Sequence, residues 1–109
     1  KTLTGCQVDE IARKYISDSG YGGFFIHRLG HSIGTDVHSL SVNLDSFETI
    51  DERNIVEGIG FSIEPGIYLK EFGIRSEINV YVNHSGPEIT TPVQNEIITV
   101  NTRSTRKKN

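Results

Sequence analysis

Methionine is absent from the 109 residues, and cysteine occurs only once. A primary translation product begins with methionine, whereas this chain begins Lys1-Thr2-Leu3. The expectation is therefore that upstream residues were removed and that the chain is the C-terminal portion of something longer. A single cysteine, Cys6, excludes an internal disulfide framework and fits a reducing, cytoplasmic setting. No apolar run reaches membrane-spanning length and no signal-peptide pattern opens the chain, so no membrane partner is expected. An excess of positive charge is also missing. Eleven Lys and Arg stand against 14 Asp and Glu, a net charge of -3, which excludes the electrostatic footprint of nucleic-acid binding. The one basic run, Arg103 to Lys108, follows the last apolar stretch. It reads as a solvated tail (103–109) after a folded part (1–102).

Apolar residues make up 35% of the chain, with five Phe and four Tyr, enough for one modest folded domain. Val8, Ile11, Ala12, Tyr15 and Ile16 recur at helical spacing and predict a helix from about Val8 to Ser19. Thr4 or Gln7 would cap it, and the glycines at 20, 22 and 23 would stop it. Phe24 to His27 reads as a short extended stretch. Residues 28–58 read as largely irregular, with Val37 and Leu40 as isolated apolar anchors. Leu44, Phe47 and Ile50, spaced by three, fit either one helical turn or an ordered loop. Strands are expected at Ile59–Ile63 and Ile67–Leu69, around Pro65-Gly66. Alternation predicts one continuous strand over Ile74–Val82, placing Arg75 and Glu77 on the same face. A turn at His84 to Pro87 would lead to candidate strands Glu88–Thr91 and Glu96–Val100. Helix, long loop, then antiparallel sheet is an α+β order.

Three histidines fall close together: His27, His31 and His38. His84, at a turn, reads as a surface residue. His27 and His31 are four apart, but Arg28 stands where the zinc motif HExxH has its glutamate. The run Gly30-His31-Ser32-Ile33-Gly34 is not the nucleophile elbow GxSxG, so Ser32 has no claim as a nucleophile. Glu64 ends an apolar run, where a carboxylate is costly unless it is paired or metal-bound. Glu77 lies between Ser76 and Ile78, with Arg75 within reach. Two readings stand at this point, a metal site and ordinary ion pairing. Imidazole and carboxylate together suit Mn, Co, Zn or Fe(II). Two such ions would lower the pKa of bound water and clamp a tetrahedral intermediate.

These same residues carry a resemblance. GYGGFFIHRLGHSIGTDVH (20–38), DERNIVEGIGFSIEPGIYL (51–69) and GIRSEINVYV (73–82) resemble, in order and spacing, the creatinase/aminopeptidase or pita-bread metallopeptidases. Xaa-Pro dipeptidases (prolidases) and Xaa-Pro aminopeptidases are the nearer resemblance. It implies the C-terminal half of a pita-bread catalytic domain, a curved antiparallel sheet with a helix. It implies that His31, Glu64 and Glu77 are metal ligands, with Glu64 also the acid–base carboxylate and Glu77 bridging. It implies two divalent ions, manganese first, with cobalt or zinc as alternatives. His27 and His38 would be non-ligand histidines on the substrate side, and Arg75 would hold Glu77. The substrate implied is a proline-containing di- or oligopeptide, and a homodimer is a further expectation.

Two departures stand out. Ser39 follows His38 where an acidic residue is usual, and Ile78 follows Glu77 where a carboxylate is usual. The stretch NLDSFETIDERN (43–54) resembles one bacterial-type branch. The family's site also takes two aspartates from earlier strands. Asp9 and Asp18 sit in or beside the expected helix and match neither. The chain on its own is thus expected to be an incomplete, inactive site within a hydrolase. The alternatives are another pita-bread amide hydrolase, of methionine aminopeptidase or creatinase type, or a non-catalytic module that binds peptide or protein.

Overall fold

The computed structural model describes residues 2–101; the basic run expected as a tail at 103–109 lies outside the described residues. Helix α1 spans Gly5–Asp18, three residues earlier than the apolar periodicity suggests. Capping explains the difference. The Thr4 hydroxyl accepts the Gln7 amide at 3.3 Å while the Thr4 amide donates to Gln7 Oε1 at 2.9 Å. Both capping candidates thus act together as one capping box. Val8, Ala12 and Ile16 pack on the core, whereas Ile11 and Tyr15 are exposed.

The chain then takes a short 3-10 turn, Gly22–Phe24, in place of the extended stretch expected to start at Phe24. Strands follow at β1 (Ser32–Ile33), β2 (Gly60–Ile63), β3 (Gly66–Tyr68), β4 (Gly73–Arg75), β5 (Ile78–Asn83) and β6 (Gly86–Ile89). The main sheet has the order β1-β2-β5-β6, and β3 pairs with β4 in a separate two-stranded sheet. All pairings are antiparallel. Helix plus antiparallel sheet is the α+β class expected. At the β5–β6 turn no non-glycine residue has positive φ, and Gly86 takes φ 125°. Glycine there absorbs the twist that closes the hairpin. The core is Phe25, Leu29, Leu44, Phe61 and Val80, which joins the loop segments to the sheet.

Three local expectations are corrected. The strand read over 74–82 is two strands in different sheets, β4 and β5, broken at Ser76–Glu77. Residues 96–100 form no strand. Val37 and Leu40 are not anchors, being 71% and 94% exposed. Loop 34–59 is instead held by two buried carboxylates. Asp45 accepts the Phe47 and Glu48 amides at 3.0 and 2.8 Å. Asp51 accepts the Asn43 amide and the Arg53 guanidinium, and Arg53 also donates to the Leu40 and Ser41 carbonyls. Hydrogen bonds from Arg53 hold the Asp51 carboxyl down to about 2, against the opposing effect of burial. Among the described residues no helix is long and apolar enough to cross a membrane.

Candidate metal centre

Glu64 and Glu77 fall opposite each other in backbone register, because the two sheets share one register. Ile63 faces Ile78 in one sheet and Gly66 faces Arg75 in the other. Continued across the break, that register sets Glu64 opposite Glu77 and Pro65 opposite Ser76. The Ser76 amide indeed donates to the Pro65 carbonyl at 3.1 Å. Proline cannot donate to a ladder, so the sheet breaks at this step. Like charges directly opposite each other on paired strands are unfavourable unless something positive joins them.

His31 approaches from the other side. It lies between Gly30, which exchanges backbone hydrogen bonds with Leu44, and β1, which pairs with β2. A side chain at Gly30 would overlap the Ser62 carbonyl, so glycine lets the histidine segment lie against β2. The His31 ring is nearly buried, with its Nε2 3.1 Å from Glu64 Oε2. Its Nδ1 lies 3.0 Å from the Ser32 carbonyl, which can only accept, so Nδ1 carries the proton. In the neutral ring Nε2 then presents a lone pair to a carboxylate oxygen. Two acceptors in that position require a proton or a cation between them. The pair therefore fits a divalent metal as two of its donors.

Ser62 fixes this pair. Residues 62 and 64 share a strand face, and the fully buried Ser62 hydroxyl donates to Glu64 Oε2 at 2.7 Å. The Ser62 hydroxyl oxygen also accepts the His31 amide at 3.0 Å, and the Ser62 amide donates to the His31 carbonyl at 2.9 Å. Both Glu64 contacts fall on Oε2, leaving Oε1 for chemistry.

The remaining candidates surround the pair. The His38 ring packs on the His31 ring at 4.1 Å between centroids, and His38 is otherwise exposed. His27 Nδ1 donates to the Arg28 carbonyl at 2.6 Å, so Nε2 accepts from the Tyr68 hydroxyl at 2.8 Å. Arg75 reaches that hydroxyl at 3.5 Å and the Glu77 carboxylate at 3.8 Å. The Tyr68 oxygen first, then the Glu64 and Glu77 carboxylates, hold the Arg75 guanidinium in its charged form. Arg75 and Glu77 are half exposed. Among the described residues no group of three or more His, Cys, Asp and Glu side chains is arranged to hold a metal ion. His31 and Glu64 are brought together; the Glu77 carboxylate lies beside Arg75.

Sequence reasoning missed Ser62, Tyr68, Asp9 and Arg13. Ser62 was signalled by its two-residue spacing from Glu64 on a strand. Asp9 and Arg13 carried the i,i+4 spacing of a helical ion pair, which reads as a solvated face. Nothing in the sequence marked Tyr68.

Comparison with known proteins agrees with this architecture. Residues 1–84 match the profile of Metallopeptidase family M24. An Xaa-Pro dipeptidase of Lactobacillus delbrueckii subsp. lactis is 47% identical over 76 residues, 69% of this chain and 20% of the relative. The structure of the prolidase from Pyrococcus horikoshii OT3 superposes with a TM-score of 0.79 at 35% identity, covering 89% of this chain and 27% of that one. The X-Pro aminopeptidase from Thermotoga maritima MSB8 gives 0.78 at 39% identity, covering 91% and 27%. The chain thus spans a minor part of the length of the relatives it matches. With this α+β, pita-bread-like architecture, the chain belongs to metallopeptidase family M24.

Proposed function

We propose that the protein carrying this chain hydrolyses peptides of the Xaa-Pro type with a pair of divalent metal ions, manganese first. Its similarity to Xaa-Pro dipeptidases and an X-Pro aminopeptidase supports the substrate class. One observation carries the reading: the His31 Nε2 lies 3.1 Å from Glu64 Oε2, beside a sheet break where the register, continued, sets Glu77 opposite Glu64. His31, Glu64 and Glu77 would hold the ions, and two aspartates from outside this chain would complete the set. When bound, the metals supply Lewis acidity and activate water.

This chain's own residues divide the remaining work. Ser62 restrains Glu64 through Oε2, so Oε1 is the atom to take and return a proton. His27, hydrogen-bonded at both ring nitrogens, lines the substrate side with His38. Arg75, 3.8 Å from the Glu77 carboxylate, orients it. With three of five ligands, the isolated chain binds metal weakly and is inactive. The test is release of proline from an Xaa-Pro dipeptide by the protein carrying this sequence, supplied with manganese. Glu64→Gln should abolish release, and retained activity in that variant would overturn the assignment. Purified protein free of metal after growth with manganese would favour a non-catalytic module.

A further inference from the structure

Asp9 and Arg13 sit one turn apart on α1, and the metal pair does not involve either. Asp9 is fully buried. Its Oδ1 accepts from Arg13 Nε at 2.8 Å and the Ser46 hydroxyl at 2.6 Å. Its Oδ2 accepts from Arg13 Nη2 at 3.1 Å and the Leu29 amide at 2.9 Å. Burial opposes ionisation, but the hydrogen bonds from Arg13, Ser46 and Leu29 prevail and hold the carboxyl below its usual range. Arg13 turns the rest of its fork to the backbone. Nη1 donates to the Phe25 carbonyl at 3.0 Å and Nη2 to the His27 carbonyl at 2.7 Å. Its guanidinium lies 4.0 Å from the Phe25 ring centroid and 4.8 Å from that of Phe47.

The segment 25–29 belongs to no helix or strand; the Leu29 carbonyl accepts the Glu64 amide at 2.7 Å, and the Arg28 amide donates to Glu48 at 3.2 Å. The ion pair from α1 grips the stretch that carries His27, at the Phe25 and His27 carbonyls and the Leu29 amide. We infer that Arg13, anchored by Asp9, is a positioning residue that sets the orientation and tautomer of His27. The inference rests on the reading of His27 as a substrate-side group. The link is geometric. The peptide after His27 is held at its carbonyl by Arg13, and the Arg28 carbonyl beyond it fixes the His27 Nδ1 proton. The His27 ring also stands edge-on to Phe25, at 5.3 Å and 89°, and Phe25 is the ring that Arg13 covers. Lysine cannot replace this arrangement, because a single ammonium cannot bind a carboxylate and two carbonyls in one plane.

The test compares Arg13→Ala and Arg13→Lys with Lys14→Ala, which removes only the exposed Lys14–Asp18 pair of the same helix. The first measurement is the ring nitrogen shifts of His27 in the 109-residue chain labelled with 15N-histidine. The second is Xaa-Pro hydrolysis by the full protein. The wild-type chain and Lys14→Ala should show a single Nδ1–H tautomer at His27, and both Arg13 variants a mixture. In the full protein, kcat/KM should fall about 10–100-fold in the Arg13 variants, with metal content unchanged. Guanidinium ion should restore part of the Arg13→Ala activity, since the Arg13 side chain is 20% exposed and its site opens to solvent. Arg13→Lys with His27 shifts identical to wild type would overturn the inference. So would an activity loss that guanidinium leaves untouched while the His27 tautomer stays fixed. A change at His27 in a protein that hydrolyses no Xaa-Pro peptide would uphold the positioning role and remove the hydrolase reading instead.

Discussion

Removing the Ser62 hydroxyl should cost more than its size suggests, because one oxygen serves two partners at the centre of the site. In Ser62→Ala, Glu64 loses a 2.7 Å hydrogen bond to a charged oxygen, an interaction of about 1.5–3 kcal/mol. The His31 amide, bound to the same hydroxyl at 3.0 Å, becomes an unsatisfied buried donor, costing about 1–3 kcal/mol. These contributions overlap, so the expected total is about 3 kcal/mol. That is a large fraction of the stability of a domain this small. Urea unfolding followed by far-UV circular dichroism and tyrosine fluorescence reads it, since the chain has four Tyr and no Trp. A double-mutant cycle with Glu64→Gln isolates the charged bond. Glutamine still accepts a hydrogen bond but without the charge, so the coupling should be about 1 kcal/mol. If Ser62→Ala loses less than about 0.5 kcal/mol, or the two substitutions add within that margin, Ser62 does not restrain Glu64 as described.

Acid titration should expose the second carboxylate clamp. The Asp51 pKa is lowered from 3.8 to about 2, with the Arg53 hydrogen bonds the largest cause. Its stabilisation is therefore complete above 3.8 and disappears as pH falls through about 2. The ceiling is about 2 kcal/mol. It is nearer 1 kcal/mol once water around the half-exposed Arg53 screens the pair. The gap in unfolding midpoint between wild type and Asp51→Asn should narrow as pH falls from 3.8 towards about 2; a gap independent of pH would contradict this. Gly30→Ala should cost about 3 kcal/mol or more, because its methyl group would overlap the Ser62 carbonyl and backbone has to move. An unchanged midpoint in that variant would show that the close approach of the histidine segment to β2 is dispensable.

The proximity of His31 and Glu64 was legible only through the motifs that carry them. Residue chemistry at Glu64 and His31 left a metal site and ordinary ion pairing open; the motifs around them, through the family they resemble, grouped the two. The helix was legible from its apolar spacing, and its true start followed from Thr4 and Gln7. Other features depended on contacts that spacing does not encode. Alternation over 74–82 continues through Ser76–Glu77 without interruption, because β4 and β5 keep one register although they belong to different sheets. Val37 and Leu40 look like core residues by type, yet polar anchors at Asp45, Asp51 and Arg53 hold their loop. Asp9 and Arg13 look like a surface pair, since their neighbours at Phe25 and His27 become neighbours only in the fold.

The same polar anchoring separates two kinds of change the protein can tolerate. The Gly5 and Cys6 amides donate to the Arg53 and Asp51 carbonyls, and the Ile55 amide to the Leu3 carbonyl. Loop 34–59 is thus fastened both to the start of α1 and, through Ser39, Asn43 and Leu44, to the segment that carries His31. Closing a loop costs only about 0.6 kcal/mol more for each doubling of its length. Insertions between Gly34 and Val37 would lengthen only the exposed tip of this loop, whose return stays tied to Ser32 through the Ser39 and Ser41 amides. The geometry divides this stretch into a tethered base beside the His31–Glu64 pair and an exposed tip that carries His38.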